Sequence, residues 1–470
     1  MTEITINGRT IQAANGATVL EAARANGIYV PTLCAMEGLK PKAACRLCSV
    51  MVNGGEKLAC TTKIHAGMEI VTDSPELFEK RKAIVTEMLR QHRVDCHHCL
   101  RIGSTKAKDF DPAFCKDCFF CDCVRDGFCE LQAKALEFGI DVLPFEIREN
   151  DFPIDDSTGS IIRDPNKCIK CRRCTEVCQV QGVGILGMVK TENGQTVGAK
   201  TSLMADGCIR CGRCVSVCPT GALFLKEHKD EEIYFAHQYG TKTAALVCSC
   251  VLGELEELFG APKGSFRLEQ LVDGLRKLGI DEVFDPAAVR HIAMNRAADR
   301  LDERLGKGCV ILAQDYAAKN YLTAHFADLA DSFLFYDSPQ QVFSEILRAR
   351  SPEAKLYHIN TRHSFGAEAQ ETGNIDYFIN ARELYRIFLR TGVHPAKRPG
   401  LAADKLCEFD RCTRFRELLR AGEWSVSGKA QELHFAHNGR EYLALICNNL
   451  SQVRKAVKNM DTYDVIKVIG

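Results

Sequence analysis

The sequence lacks the features that would place the protein in a membrane or on nucleic acid. Lys and Arg together number 61 among 470 residues, as do Asp and Glu, so the formal net charge is zero. A chain with balanced charge lacks the excess of positive charge that would favour binding to nucleic acid or an anionic membrane. No run of about 18 apolar residues occurs, and the N-terminus, MTEITINGRT, has no apolar signal-peptide core. We therefore expect a cytoplasmic protein without a membrane span.

Nucleotide-binding signatures are missing as well. The sequence has no Walker A loop, and no G-x-G-x-x-G run that follows a predicted strand and opens a helix. These two patterns mark the loops on which many proteins cradle nucleotide phosphates. We therefore expect any nicotinamide or flavin to bind another subunit.

Cysteine, by contrast, is abundant. The chain holds 25 cysteines, and 19 of them lie before residue 219. Thiols at metal-ligand spacings, in a chain with no export signal, predict a reducing compartment and metal sites rather than a disulfide scaffold. The clearest pattern is a doubled C-x2-C-x2-C-x3-C run, formed by Cys168, Cys171, Cys174 and Cys178 and again by Cys208, Cys211, Cys214 and Cys218.

The doubled run matches two-cluster bacterial ferredoxins, in which the fourth cysteine of each run ligates the other cluster. We therefore predict two [4Fe–4S] clusters in a ferredoxin-like domain over residues 140–230, and a protein that carries electrons. The predicted ligands are Cys168, Cys171, Cys174 and Cys218 for one cluster, and Cys178, Cys208, Cys211 and Cys214 for the other.

Residues 1–75 predict a small β-grasp domain with another kind of cluster. Alternating residues flank Asn7-Gly8, a strong hairpin signal, and Thr18-x-x-Glu21 forms a capping box before a helix. Four cysteines follow, spaced x10, x2 and x11: Cys34, Cys45, Cys48 and Cys60. Four thiolates in loops that flank strands can hold a [2Fe–2S] cluster, and a structural zinc ion is the alternative.

This cysteine spacing resembles the N-terminal domain of the large iron–sulfur subunits of respiratory complex I, NAD-linked hydrogenases and [FeFe] hydrogenases. After a helix, predicted here from the N-cap Ser74 to about Gln91, that family has a [4Fe–4S] cluster ligated in the pattern H-x3-C-x2-C-x5-C. Deleting residues 100–123 restores this pattern. Within residues 76–139, the resemblance therefore implies a third [4Fe–4S] cluster on His92, Cys96, Cys99 and Cys129.

The interrupting residues 100–123 add four more cysteines: Cys115, Cys118, Cys121 and Cys123. Their number is enough for one further all-cysteine site, either a fourth [4Fe–4S] cluster or a structural zinc ion. In an alternative partition, Cys123 and Cys129 both belong to the histidine cluster, and Cys96 or Cys99 belongs to the additional site. Both partitions stay open.

Residues 240–470 resemble the catalytic domain of [FeFe] hydrogenases. The stretch 252–285 follows the opening of that domain, and NIDYFINAREL at 374–384 follows a second segment of it. Periodic apolar residues predict an amphipathic helix over 266–279. The hydrogenase H-cluster cysteines are missing, because residues 312–317 contain none, Thr361 occupies a second cysteine position, and the third motif would follow Val468. The resemblance implies a hydrogenase fold without its metal site.

Six cysteines of this half fit none of the cluster patterns. Free cysteine is often a small buried apolar residue, and we expect that of each. Two pairs, C-x-C and C-x4-C, could each supply half of a metal site, but no second half is visible. The six are Cys248, Cys250, Cys309, Cys407, Cys412 and Cys447.

The sequence thus predicts an α+β multi-domain protein. In order, it has a β-grasp [2Fe–2S] domain, a histidine-ligated [4Fe–4S] segment, a two-cluster ferredoxin-like domain and an α/β hydrogenase-like domain without an H-cluster. The predicted domain boundaries are 1–75, 76–139, 140–230 and 240–470.

The predicted function is that of an electron-transfer subunit in a soluble oxidoreductase complex with several subunits. The resemblance implies as partners a flavin- and NAD(P)-binding iron–sulfur subunit, a small [2Fe–2S] subunit and ferredoxin, as in electron-bifurcating transhydrogenases or hydrogenases. We expect no hydrogen chemistry in this chain. A redox-regulatory subunit, or a structural scaffold derived from a hydrogenase, is the alternative.

Overall fold

A computed structural model of the chain describes residues 1–93, 129–140, 152–226, 240–420 and 429–469. Within these ranges the protein mixes helices and sheets in three successive regions. They are an N-terminal sheet with its helices, a middle region of short antiparallel ribbons, and a larger α/β region. None of the described helices is long and apolar enough to cross a bilayer.

The N-terminal region is a five-stranded sheet with one helix packed on it. Its elements are β1 (Thr2–Ile6), β2 (Arg9–Ala13), α1 (Val19–Ala25), β3 (Ser49–Val52), β4 (Gly55–Leu58) and β5 (Glu69–Val71). The strand order is β2-β1-β5-β3-β4. The predicted hairpin is confirmed, with φ of 50° at Asn7 and 76° at Gly8. The predicted capping box of Thr18 and Glu21 is confirmed as well.

A long helix, α2 (Pro75–Gln91), follows the sheet and begins at the predicted N-cap Ser74. Its buried Arg81 points back into the sheet. The guanidinium donates hydrogen bonds to three backbone carbonyls, those of Leu47 (3.1 Å), Ser49 (2.7 Å) and Thr72 (2.8 Å). Arg81 therefore fastens α2 to the chain on both sides of Cys48.

Two short ribbons and three short helices make up the middle region. The helices are α3 (Glu130–Glu137), α4 (Arg173–Val180) and α5 (Arg213–Ser216), and the strands are β6 (Ile161–Arg163), β7 (Gly187–Thr191), β8 (Gly194–Gly198) and β9 (Leu223–Leu225). Helix α3 packs on α2, while α4 and α5 start inside the two cysteine runs and contact each other. Strand β6 pairs with β9, and β7 pairs with β8.

The C-terminal region is built on two sheets. The strands are β10 (Thr243–Val247), β11 (Glu282–Phe284), β12 (Val310–Ala313), β13 (Phe333–Phe335), β14 (Lys355–Ile359), β15 (Tyr377–Ile379), β16 (Gln431–His437), β17 (Arg440–Cys447) and β18 (Val465–Val468). One sheet, in the order β11-β10-β14-β15, is parallel throughout. The other has the order β13-β12-β18-β17-β16, and only β16 is antiparallel to its neighbour.

Helices connect these strands. They are α6 (Val251–Leu258), α7 (Leu268–Lys277), α8 (Ala287–Asp302), α9 (Tyr316–His325), α10 (Pro339–Arg350), α11 (His363–Thr372), α12 (Ala381–Thr391), α13 (Arg416–Arg420) and α14 (Leu450–Val457). Helix α7 is the one predicted over 266–279, and it is two residues shorter at each end. It starts later because Arg267, with extended backbone, is its N-cap. The predicted apolar face is confirmed, since Leu271, Val272 and Leu275 are buried.

The middle region packs closely against the C-terminal region. A Cβ atom built on Gly212, whose φ is 70°, would lie 2.2 Å from the Cβ of His363 at the start of α11. Nearby, Arg210 forms an ion pair with Glu371 and lies over the ring of Tyr316, 5.3 Å from its centroid. Glycine at position 212 therefore permits the second cysteine run to approach this region directly.

We predict that Gly212→Ala weakens this contact. The added methyl group has no room beside His363, and overpacking of this kind costs about 1–3 kcal/mol. The unfolding temperature of the iron-loaded protein, followed by circular dichroism, should therefore fall. Gly207→Ala is the matched control, because Gly207 also has a positive φ (92°) but has no atom within 4 Å of the built Cβ. Equal losses in both variants would attribute the effect to backbone strain alone.

Candidate iron–sulfur centres

The four N-terminal cysteines lie together in the structure. Cys34, Cys45, Cys48 and Cys60 are all buried, at 3% exposure or less. The side chain of Cys34 is hydrogen-bonded to those of Cys45 and Cys60, and Cys60 is also bonded to Cys48. These contacts lower the pKa of Cys34 and of Cys48, because each accepts a hydrogen bond from a neighbouring thiol. Two of the four are thus poised as thiolates, the form that binds iron.

The backbone of the loop around Cys45 curves toward the cysteine sulfur atoms. Ala43 and Arg46 have left-handed backbone, with φ of 51° and 59°. The backbone N–H of Leu33 donates a hydrogen bond of 3.4 Å to the Cys45 sulfur. A buried set of four mutually contacting thiols with N–H donors aimed at sulfur fits a [2Fe–2S] cluster.

Two members of the predicted histidine cluster lie within the described residues. His92 is 4% exposed, and its Nδ1 lies 3.0 Å from the carbonyl oxygen of Lys167. Because a carbonyl only accepts, Nδ1 carries the proton and Nε2 is the unprotonated nitrogen of this tautomer. Histidine ligands of metals usually donate their other ring N–H in this way. Cys129, also buried, is the N-cap of α3.

The remaining predicted ligands of this segment lie outside the described residues. They are Cys96 and Cys99 of the histidine cluster and Cys115, Cys118, Cys121 and Cys123 of the insertion. Their assignment, and the choice between the two partitions, therefore stays a prediction.

The first ferredoxin-type site is a cavity with four cysteines in its lining. Cys168, Cys171, Cys174 and Cys218 line one cavity. The last of these comes from the other run, as the interleaved pattern predicts. Lys170 and Arg172 have φ of 57° and 62°. The N–H of Lys170 donates a 3.4 Å hydrogen bond to the Cys168 sulfur. This donor set fits a [4Fe–4S] cluster.

The second run repeats the same local geometry. Arg210 and Gly212 have φ of 59° and 70°, and the Arg210 N–H donates a 3.4 Å hydrogen bond to Cys208. Burial raises the pKa of Cys208 to about 11 and that of Cys211 to about 12. The charges of all four predicted ligands interact, since Cys214 is coupled to Cys208, Cys211 and Cys178.

Cys178, whose run lacks the usual following proline, is held by a glycine-rich turn. The N–H groups of Val183 and Gly184 donate to its carbonyl oxygen at 3.2 and 3.0 Å. Burial raises the pKa of its thiol, while the backbone of Ile185 and Leu186 lowers it. Gly182 and Gly184 have φ of 78° and 68°, which folds the chain around the sulfur. Residues 182–187 do read G-x-G-x-x-G, but they follow α4 and open the β7–β8 ribbon. The turn therefore serves a predicted metal ligand rather than a nucleotide.

The predicted centres are neighbours along the molecule. Cys34, Cys45, Cys129 and Cys171 belong to one buried cluster, so three predicted centres share a core. Arg173 interacts electrostatically with both Cys34 and Cys171. It is held by two hydrogen bonds to Glu130, of 2.6 and 2.8 Å. The second cysteine run lies at the far end, against the C-terminal region.

At the carboxyl ends of β12 and β14, and in β18, the C-terminal region has polar residues that hydrogen-bond to the protein. Gln314 donates to the carbonyl of Asp337 at 2.8 Å, and Asp315 accepts from Ser364 at 2.8 Å. Lys467, in β18, is buried and donates to two carbonyls of α13. Burial lowers the pKa of Lys467 to about 7. These residues provide no sulfur ligand.

Comparison with known proteins agrees with this domain order. Residues 1–75 match the 2Fe-2S iron-sulfur cluster binding domain, 160–219 the 4Fe-4S dicluster domain, and 241–422 the iron only hydrogenase large subunit, C-terminal domain. The chain is 30% identical over 436 residues to the NADP-reducing hydrogenase subunit HndD of Solidesulfovibrio fructosivorans, covering 85% of this chain and 70% of that protein. The chain belongs to the HndD family.

Other known proteins are similar to parts of this chain. It is 30% identical to the NAD-reducing hydrogenase HoxS subunit gamma of Cupriavidus necator, over 39% of this chain and 68% of that one. A chain in the crystal structure of an NAD+-reducing [NiFe]-hydrogenase aligns over 48% of this chain and 87% of its own length. That alignment has 27% identity and a TM-score of 0.41.

We predict that His92→Cys keeps a [4Fe–4S] centre but lowers its midpoint potential. Thiolate adds a negative charge where imidazole is neutral, and ligand charge is one determinant of cluster potential. A redox titration followed by EPR would measure the shift. His65→Cys is the control, because His65 is exposed and belongs to none of the predicted ligand sets. Identical titrations in all three proteins would mean that His92 is not a ligand.

Proposed function

We propose that this chain carries electrons for an NAD(P)-linked oxidoreductase through one [2Fe–2S] and three [4Fe–4S] clusters. A flavin- and NAD(P)-binding partner subunit exchanges electrons at one end, and ferredoxin is the low-potential partner. The holoenzyme is an electron-bifurcating transhydrogenase or a bifurcating hydrogenase or dehydrogenase complex. Residues 100–123 contribute a further metal site, which holds either a fourth [4Fe–4S] cluster or a zinc ion.

The observation that carries the proposal is the shared core of three predicted centres. Cysteines of the [2Fe–2S] site, the histidine cluster and the first ferredoxin-type site pack in one buried cluster. The second ferredoxin-type site follows directly, since Cys174 and Cys214 interact electrostatically. An electron relay requires neighbouring one-electron centres, and sites that share a buried core meet that requirement.

The protein groups around the predicted clusters support this role. Bound clusters supply one-electron chemistry at potentials that charge, hydrogen bonds and exposure set. Leu33, Lys170 and Arg210 direct backbone N–H groups at sulfur. Two buried guanidiniums, of Arg163 and Arg173, interact electrostatically with cysteines of the first ferredoxin-type site. Both kinds of group stabilise added negative charge, so they favour the reduced state.

We assign no hydrogen chemistry to the C-terminal region. Residues 312–317 and position 361 offer no thiolate, and without thiolates nothing holds a cubane or bridges it to a diiron centre. The relatives named above are subunits of NADP- and NAD-reducing hydrogenases. We therefore assign substrate chemistry to partner subunits, and the C-terminal region to docking them.

Cys45→Ala should stop electron transfer at the [2Fe–2S] site. In the complex co-purified with its partners, we expect loss of the binuclear EPR signal and of NAD(P)H-dependent ferredoxin reduction, while the ferredoxin-type signals remain. Cys309→Ala, which removes a cysteine outside the predicted clusters, should leave both readouts unchanged.

Metal analysis tests the cluster count directly. One [2Fe–2S] and three [4Fe–4S] clusters require about 14 iron atoms per chain, and a fourth cubane raises the total to about 18. About ten iron atoms with no binuclear signal would contradict the N-terminal assignment. Full iron content without any electron transfer to ferredoxin would instead favour the redox-regulatory or scaffold alternative.

A further inference from the structure

Two thiols that the predicted clusters do not use meet at the carboxyl end of strand β10. Cys248 follows the strand and is 6% exposed, whereas Cys250, at the start of α6, is exposed. The backbone N–H of Cys250 donates to the Cys248 sulfur at 3.3 Å, and the two side chains interact directly. Contact between two sulfurs is the first requirement for an intramolecular disulfide.

The surroundings of Cys248 favour a thiolate. Its sulfur accepts hydrogen bonds from the backbone N–H of Cys250 (3.3 Å) and from Nη2 of Arg290 (3.6 Å). The neighbouring Cys250 side chain lowers the pKa of Cys248 to about 6, with further lowering by Arg290 and Arg362. Thiolate is the nucleophilic form of cysteine, and nearby cations and helix N-termini stabilise it.

Cys250 is held as the protonated partner. Its Sγ donates to Oδ1 of Asn360 at 3.5 Å, and Asn360 Nδ2 donates to Nε2 of His358 at 3.2 Å. His358 donates from Nδ1 to Gln340 at 2.7 Å. Burial lowers the pKa of His358 to about 3, so the ring stays neutral and fits both bonds. This buried network turns the Asn360 carbonyl toward the thiol.

Other cysteines of the C-terminal region have different surroundings. Burial raises the pKa of Cys309 to about 11 and that of Cys447 to about 12, which keeps both as unreactive thiols. Cys412 donates to the carbonyl of Arg414 at 3.3 Å. The expectation of a small buried apolar residue fits Cys447, but it does not fit a thiol pair with one exposed member and a guanidinium donor.

We propose that Cys248 and Cys250 form a thiol–disulfide exchange site whose substrate class is a disulfide in solution, such as oxidised glutathione or an exposed protein disulfide. The exposed sulfur of Cys250 reacts with the substrate first. The buried sulfur of Cys248 then forms the intramolecular disulfide. This site is independent of the predicted clusters, because neither cysteine belongs to a cluster pattern.

The exchange proceeds in two balanced steps. Cys250 gives its proton to solvent as its sulfur attacks one sulfur of the external disulfide, so one S–S bond forms, another breaks, and the leaving thiolate takes up a proton. Cys248 stays a thiolate for the next step. Cys248 then attacks the Cys250 sulfur and releases the second external thiol. Cys248 and Cys250 are oxidised by two electrons, and the external disulfide is reduced by two. The reverse sequence, with an external dithiol, restores the pair.

The test uses iron-loaded, full-length protein equilibrated anaerobically with mixtures of reduced and oxidised glutathione. After alkylation and tryptic digestion, residues 243–263 form one peptide that contains both cysteines and no other. We expect this peptide to lose two hydrogen masses and its alkyl groups in a single two-electron transition. The peptide of residues 308–319, with Cys309 alone, is the internal control and should stay alkylated. A 243–263 peptide that carries two alkyl groups at every ratio would overturn the proposal.

Single variants separate the two roles. Cys248→Ser should trap glutathione on Cys250 as a lasting mixed disulfide, because the resolving sulfur is gone. Cys250→Ser should leave Cys248 unmodified, because it is buried. The opposite result in this pair would overturn the assigned roles. Iron content measured on the same samples shows whether the clusters survive, so failure of the cluster assignment and failure of this site are distinguishable.

Discussion

The predicted cluster sites depend on one backbone constraint, a left-handed turn beside cysteines three residues apart. A C-x2-C run brings its sulfurs to one point only if the chain coils tightly between them, and this coil also directs N–H groups inward as an anion-binding concavity. The residues in this conformation are Ala43 and Arg46 near Cys45, Lys170 and Arg172 in one ferredoxin-type run, and Arg210 and Gly212 in the other. Non-glycine residues in this region of φ cost about 1–3 kcal/mol each, so surrounding packing must hold them.

Burial of the cysteine thiols is the second condition for these cluster sites. It makes the binding of iron depend on the loss of protons from the thiols. Desolvation raises the pKa of Cys208, Cys211 and Cys214, because an isolated thiolate is poorly solvated in the protein interior. Binding of iron requires these thiols to lose their protons, and the metal then provides the compensating positive charge. Loading of these sites with iron therefore releases protons, and it becomes harder as the pH falls.

Features encoded by local spacing could be predicted from the sequence, whereas features that need distant residues could not. The Asn7-Gly8 hairpin, the Thr18–Glu21 capping box and the start of α2 depend on neighbours in the chain, and all three are confirmed. The role of Arg81 could not be predicted, because its carbonyl partners are up to 34 residues away. The Cys248 environment is a similar case, since Arg290 is 42 residues distant.

Some sequence patterns are present in the chain but have a structural role other than the one they usually indicate. Residues 182–187 have the glycine spacing of a dinucleotide loop, yet they wrap the sulfur of Cys178, because the preceding element is a helix rather than a strand. For the ferredoxin-type cavity, the spacing predicted which four cysteines line it, including Cys218 from the other run. The C-terminal region was recognisable by its similarity to hydrogenases, but its internal contacts depend on residues that no short motif connects.

In the C-terminal region, polar side chains that follow the strands are partnered by other protein groups. Buried polar groups are costly unless they are partnered. Asp315 and Ser364, which follow strands of different sheets, bond to each other, and Gln314 and Asn360 are partnered as well. The Asp315–Ser364 bond joins the carboxyl ends of the two sheets. Since protein contacts hold this edge together, its other residues are not committed to ligating iron, and a thiol pair at the end of β10 can have chemistry of its own.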